Sequence, residues 1–285
     1  MNTKNNRKPD IQRAFNKAAA TYANSSVVYQ EIGQRLLSRL EYTLLDPKVI
    51  LDAGCGLGNF SEILAIRYPN AQIIALDFSE NMLKNKHNIQ AQSHLDNPCI
   101  NKILGDMEKL PLLSESIDLV FANQSIQDVT NISNLFQEFH RVLRPQGALY
   151  FSTLGPDSFK ELKNAWAIVD TYGHVNELHD LHNLGDELLT QQFIQPVIDM
   201  EYITVHYPTP KILLKDLKEQ GSYNIHPIRR TGLMGQDALA YLYRGLEEQR
   251  NDSGKIPMTY EVVYGHAWRG ERKPKYNAET GETFI

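Results

Sequence analysis

At 285 residues, with 42% hydrophobic and 22% charged residues, the chain has a globular composition and length enough for one large α/β domain with an appendage. Its formal net charge of −5 excludes a general nucleic-acid binder, which needs a basic face, and no apolar run reaches the roughly 18 residues that span a bilayer. Cys55 and Cys99 are too few for a disulfide framework, so a reducing, cytoplasmic setting is expected.

The polar start, Met1 to Asp10, lacks the apolar stretch of a signal peptide. Residues 10–22 and 26–42 read as helices, the second placing Val28, Ile32, Leu36, Leu37 and Leu40 at helical spacing, and residues 1–45 are expected to cap a core. Lys48 to Asp52 is a short apolar run that ends in glycines and leads into a helical stretch from Asn59 to Tyr68. Further strands are predicted at 71–77, 99–104, 117–122 and 147–153, with helices at 79–88 and 131–144. Such alternation implies a mostly parallel sheet covered on both faces, assigned to residues 46–154. From Gly155 to Gly185 helical pieces occur without a strand signal and read as an insertion over the sheet's C-terminal edge. A strand at 196–207, helices at 209–220 and 235–249 and a last strand at 259–266 make up residues 186–268, followed by a polar tail, 269–285.

Leu51-Asp52-Ala53-Gly54-Cys55-Gly56-Leu57-Gly58-Asn59 puts three glycines where a strand turns into a helix, so the backbone can approach a ligand without Cβ interference. About 20 residues on, Asp77 ends the next strand, where a carboxylate can accept from both hydroxyls of a ribose; the alternative is an N-cap for the helix near Ser79. A nicotinamide cofactor also fits an acid at this distance, but its pyrophosphate calls for G-x-G-x-x-G, and here the pattern is D-x-G-x-G-x-G. The strand Ile117 to Phe121 delivers Asn123 and Gln124 to its C-terminal end, where open α/β sheets hold ligands. Arg141 and Arg144 read as structural cations near a helix C-terminus. His179 and His182 have i, i+3 spacing, but no third ligand recurs nearby and no metal is expected.

The turn resembles motif I of the class I S-adenosylmethionine-dependent methyltransferases. That resemblance implies S-adenosylmethionine as cofactor, bound by Asp52, Gly54, Gly56 and Gly58, by Asp77 and Phe78 at the ribose, by Asp106 and Met107 at the adenine, and beside Asn123 and Gln124. It implies a Rossmann-like seven-stranded, mostly parallel sheet with the last strand antiparallel, helices on both faces, an N-terminal helical cap and a helical lid.

Outside the cofactor half, Phe15 to Tyr22, Thr153 to Leu162, Ala165-Trp166, His174 to Asn176, Leu181 to Asp186, Arg229 to Gly235 and Thr259 to Trp268 are similar to segments of the malonyl-acyl-carrier protein O-methyltransferases. This narrower resemblance implies methylation of the free carboxylate of malonyl-acyl-carrier protein, or malonyl-CoA, at the start of biotin synthesis. Tyr22, Arg229 and Arg230 are the candidates for substrate contact. An acidic carrier protein is the implied partner, docking near Lys211, Lys215, Lys218, Arg229 and Arg230, and a monomer is expected. One departure stands out: where the family shows a segment like N-L-A-L-Q-W, this chain reads Asn123-Gln124-Ser125-Ile126-Gln127-Asp128. A carboxylate there repels an anionic substrate, so Asp128 is expected to point away or to pair with an arginine. Methylation of another small acid, and a non-catalytic cofactor-binding role, are the alternatives.

Overall fold

The structure, a computed structural model, describes residues 8–85, 99–221, 223, 224, 226, 228–230, 232, 234–271, 275, 276, 283 and 284. The end of the helix predicted to residue 88, Thr231 and Leu233, and most of the tail lie outside the described residues. The main strands are β1 (Val49–Ala53), β2 (Gln72–Asp77), β3 (Ile100–Leu104), β4 (Ile117–Asn123), β5 (Leu143–Leu154), β6 (Phe193–Tyr207) and β7 (Ile256–Arg269). They form one sheet in the order β3-β2-β1-β4-β5-β7-β6, parallel except for β7, which runs antiparallel between β5 and β6. The Rossmann-like sheet with an antiparallel last strand is therefore present. Its strand order reverses between β1 and β4, which opens a crevice at their C-terminal ends.

The chain opens with α1 (Lys8–Ala18), the single turn α2 (Tyr22–Ser25) and α3 (Val27–Arg39). Next, α4 (Asn59–Arg67) and α5 (Glu80–Lys84) follow β1 and β2, and α6 (Ile132–Val142) precedes β5. Between β5 and β6 come α7 (Lys160–Ala167) and α8 (Leu181–Thr190); between β6 and β7 come α9 (Pro210–Glu219) and α10 (Gln236–Glu247).

Adjacent strand residues point to opposite faces, so each strand feeds two cores. Ile50, Ile73, Leu119 and Tyr260 pack against Leu36 of α3, Leu64 of α4, Leu213 of α9 and Leu242 of α10. Leu51, Val120, Leu149 and Val263 pack on the other side against Leu135, Phe136 and Phe139 of α6 and Leu184 and Leu188 of α8. The buried positions of α6, Leu135, Phe136, Phe139 and Val142, form the single stripe that a helix covering a sheet requires.

Several boundaries differ from the sequence expectation, each for a local reason. The helix predicted over 10–22 breaks after Ala18, where the Thr21 amide and hydroxyl both donate to the Ala18 carbonyl, at 2.8 and 3.1 Å, and close a turn. Strand β5 starts at Leu143 rather than 147, because Leu143 already pairs with Ile117 before the register shifts to Leu119 opposite Ala148. Helix α8 is capped by Asp180, which accepts from the amides of His182 and Asn183 at 2.7 and 3.1 Å. His179 thus precedes the cap, and the two histidines do not share a helix face.

Candidate active site

The glycine turn sits at the end of β1, and the Gly54 and Cys55 amides donate to the Leu76 carbonyl of β2 at 2.8 and 2.9 Å. Gly54, Gly56 and Gly58 have φ of +75°, +55° and +90°, a region that side chains resist. At Gly54 the constraint is double, since a Cβ would lie 2.3 Å from that of Ser125 and 3.1 Å from the Met107 Cε. The Ser125 hydroxyl in turn donates to the Ala53 carbonyl at 2.8 Å, which locks the β4 loop against the turn.

Asp77, at the end of β2, accepts from the Gly56 amide at 2.9 Å through Oδ2 and from the Ser79 amide at 2.7 Å through Oδ1. It therefore anchors the entry to α5 and the glycine turn together, while the cap of α5 itself is the Ser79 hydroxyl, which accepts from the Met82 amide. Burial drives the Asp77 carboxyl up to about 6, against the pull of its amide partners. Asp52, also buried, is pushed to about 7 by burial and then by Asp77, although the Ser61 hydroxyl of α4 donates to it at 2.6 Å.

Above the turn lies the N-terminal cap. Asn16 of α1 accepts from the Ser79 hydroxyl and the Asn81 amide at 2.8 and 3.0 Å, and Gln12 donates to the Phe78 carbonyl at 2.6 Å. Lys8 pairs with Asp106 at 2.6 Å and Glu108 at 3.0 Å, and Phe15 meets Phe78 edge to face at 6.0 Å. Sequence reasoning singled out the segment from Phe15 to Tyr22 but gave a role to Tyr22 alone. The periodicity of α1 carries no sign that its polar face grips α5 rather than water.

Two cavities open at the crevice and share a wall. The smaller, about 70 Å³, is lined by Gly54, Gly56, Asp77, Phe78, Asp106 and Met107, together with Lys8, Asn123 and Ser125. The larger, about 260 Å³, is walled by Tyr29, Leu154, Phe159, His174, Leu217 and Lys218 among others. Phe15, Tyr22, Gln124 and Asp128 line both. Among the described residues four acidic side chains, Asp77, Asp106, Glu108 and Asp128, face the smaller cavity against one cation, Lys8. Such a field suits a ligand with hydroxyls and positive charge and disfavours a phosphate.

Most of the predicted cofactor residues thus converge, with two exceptions. Asp52 turns to Ser61 and Gly58 serves as the N-cap of α4, so neither lines a cavity. Arg229 and Arg230 also line neither cavity. Each has found a carboxylate, Asp10 and Asp170 respectively, both at 3.8 Å. Among the described residues, the lysine that does reach the larger cavity is Lys218. Asp128 departs from expectation too: it faces both cavities, and among the described residues no ion pair includes it. Burial first, and then Asp77, push its carboxyl up to about 7. Burial and the charges of Asp77 and Asp128 likewise raise the Tyr22 phenol, which keeps its proton at neutral pH.

The insertion after β5 closes the larger cavity and is pinned at both ends. Buried Glu161 accepts from the Thr259 amide at 2.9 Å, and buried Glu261 accepts from the Asp157 amide at 2.6 Å, fastening the start of the lid to β7. Further on, His174 stacks on Trp166 at 3.5 Å and contacts Asp170 at 2.6 Å, while Asn176 donates to the Tyr223 carbonyl at 2.9 Å. The segments singled out in sequence, Thr153 to Leu162, His174 to Asn176 and Thr259 to Trp268, are the parts that assemble this lid.

The sheet order, the antiparallel β7 and the glycine turn backed by the acid of β2 define a methyltransferase fold, and residues 51–151 match the family described as "Methyltransferase domain". The YcgJ protein of Bacillus subtilis shares the fold, with a TM-score of 0.57 at 15% identity over 83% of this chain and 98% of that one. A malonyl-acyl-carrier protein O-methyltransferase of Legionella pneumophila is 44% identical over 272 residues, 95% of this chain and 94% of that protein. One from Gallionella capsiferriformans is 43% identical, covering 92% of this chain and 91% of its own. The chain belongs to the malonyl-acyl-carrier protein O-methyltransferase family.

Proposed function

We propose that the chain transfers a methyl group from S-adenosylmethionine to the free carboxylate of malonyl-acyl-carrier protein, giving the methyl ester that begins biotin synthesis. The observation that carries the reading is the pair of cavities sharing one wall at Tyr22, Gln124 and Asp128, in a chain of this family. S-adenosylmethionine supplies an electrophilic methyl group on a sulfonium.

The residues of the smaller cavity fit that molecule. Each Asp77 oxygen spends one lone pair on an amide and keeps another for a ribose hydroxyl. Phe78 and Met107 offer apolar surface to an adenine, and Asp77, Asp106 and Glu108 accommodate the sulfonium and ammonium charges. Both side-chain polar atoms of Gln124 are buried without a protein partner, at a cost of about 1–3 kcal/mol that a bound ligand can offset.

A malonyl carboxylate, with an ordinary pKa of roughly 4, is ionised at neutral pH and needs no general base. The chain's task is then alignment and exclusion of water, which the lid and the N-terminal cap perform. Tyr22, protonated and on the shared wall, is placed to donate to the reacting oxygen or to close over the methyl donor. Lys218 offers the acceptor cavity a positive charge, and Lys211 and Lys215 are exposed on the same helix as a landing site for an acidic carrier.

Expression in a biotin-requiring strain that lacks its own methyltransferase tests the reading. Growth without biotin is expected, and it should be lost with Asp77→Ala. A well-expressed, cofactor-binding protein that fails to rescue would instead favour the non-catalytic alternative.

A further inference from the structure

We propose that Gln124 and Asp128 form a polar gate between donor and acceptor cavities that selects a free acid group on the substrate, with Asp128 acting as a neutral carboxylic acid. The inference rests on the methyl-transfer reading above and adds the specificity of the same site.

Three observations place the gate. Gln124 is held at φ +50°, a conformation costly for a residue with a side chain, directly after β4. Its amide nitrogen and oxygen are both buried with no protein partner, and the residue lines both cavities. Asp128, one turn further on, lines both cavities as well, beyond the Gln127 side chain that donates to the Gln124 carbonyl at 2.7 Å. A purely apolar acyl group would leave this wall unsatisfied, whereas a carboxylate can accept from the Gln124 amide and from a protonated Asp128.

The charges around Asp128 favour its proton. Burial disfavours the ionised form, and Asp77 at the end of β2 repels it, so the Asp128 carboxyl is pushed up to about 7. The cations within reach are engaged or set at the rim: Lys8 of α1 is held by Asp106 and Glu108, and Lys218 of α9 is exposed at the mouth of the larger cavity, while the His174 ring of the lid is hydrogen-bonded to Asp170. Tyr22 of α2 stays protonated. The methyl ester product has lost the negative charge and accepts these hydrogen bonds more weakly, so the gate holds substrate more tightly than product.

The experiment measures KM for malonyl-acyl-carrier protein and kcat from about pH 6 to pH 9, a range in which the substrate's own carboxyl does not titrate. Wild-type KM is expected to climb above pH 7, approaching tenfold per pH unit, with a smaller change in kcat. Asp128→Asn, which keeps a neutral donor, is expected to give a flat KM. A histidine effect would persist in that variant, so a parallel rise in Asp128→Asn overturns the proposal, as does a flat wild-type profile. Proton uptake offers a readout without a variant. Binding of malonyl-carrier to wild-type protein loaded with S-adenosylhomocysteine is followed by calorimetry near pH 7.5 in two buffers of different ionisation enthalpy. Uptake supports the gate and its absence overturns it. If uptake is seen but no methyl ester forms at any pH, the gate stands and the methyl-transfer reading falls.

Discussion

At the residue scale the site turns on a few positions where one side chain serves two neighbours. Asp77 holds Gly56 and Ser79 and still faces the smaller cavity. Asp77→Ala is expected to weaken S-adenosylmethionine binding by about 1.5–3 kcal/mol, the scale of hydrogen bonds to a charged group. Calorimetry on the folded variant reads it directly, and an unchanged affinity would remove Asp77 from the site. Gly54→Ala, which drives a Cβ to 2.3 Å from the Ser125 Cβ at a φ of +75°, is expected to cost about 1–3 kcal/mol of stability and to weaken the cofactor further. Thermal melts with and without cofactor check both effects. Much of this was legible in sequence, because three glycines at a strand end allow close backbone approach and an acid at the end of the next strand lies within reach of the same ligand. The position of Asp128 was not, since a three-residue spacing from Ser125 does not say which wall a side chain joins. Arg229 and Arg230 lie outside both cavities, near Asp10 and Asp170, carboxylates distant in sequence whose nearness only the fold creates.

At the element scale, α9 and the lid wall the larger cavity. On α9, Leu213 and Leu217 face the core and leave Lys211 and Lys215 in water, with Lys218 exposed at the mouth of the larger cavity and Lys215 near Glu219 at 3.6 Å. If this face receives an acidic carrier, KM for carrier-bound substrate rises steeply with salt, while a free thioester analogue changes little. Lys218→Glu is expected to raise the carrier KM at least several-fold at low ionic strength; equal salt dependence for both substrates would point to a small-molecule enzyme. The strands and the long helices α3, α6 and α9 follow from periodicity, because each buries one stripe. The break after Ala18 and the early start of β5 do not, because a threonine-closed turn and a register shift leave no periodic trace.

At the scale of the whole molecule, the fold gathers acids where the sheet order reverses, and that has a consequence for stability. Asp52, Asp77 and Asp128 titrate near 7, 6 and 7, chiefly through burial, whereas unfolded carboxylates titrate near 4. Between about pH 4 and 7 the native state therefore holds protons that the unfolded chain has released, and stability falls as pH rises through that window. Glu138, held below the usual carboxylate range by its Arg141 hydrogen bond against the opposing effect of burial, works in the opposite sense and costs stability only in stronger acid. The cofactor-free protein should thus melt several degrees higher near pH 5.5 than at pH 8, and Asp128→Asn should narrow the gap. A melting temperature that climbs steadily to pH 8 would contradict the account.

Methyl transfer to malonyl-acyl-carrier protein is the claim on which the rest depends, and intact mass spectrometry of the carrier tests it most directly. Purified protein with S-adenosylmethionine is expected to add one CH₂ unit to the malonyl-loaded carrier and nothing to the acetyl-loaded or unloaded forms. A folded, cofactor-bound protein that leaves the malonyl form unchanged, or that modifies the acetyl-loaded carrier equally, would contradict it.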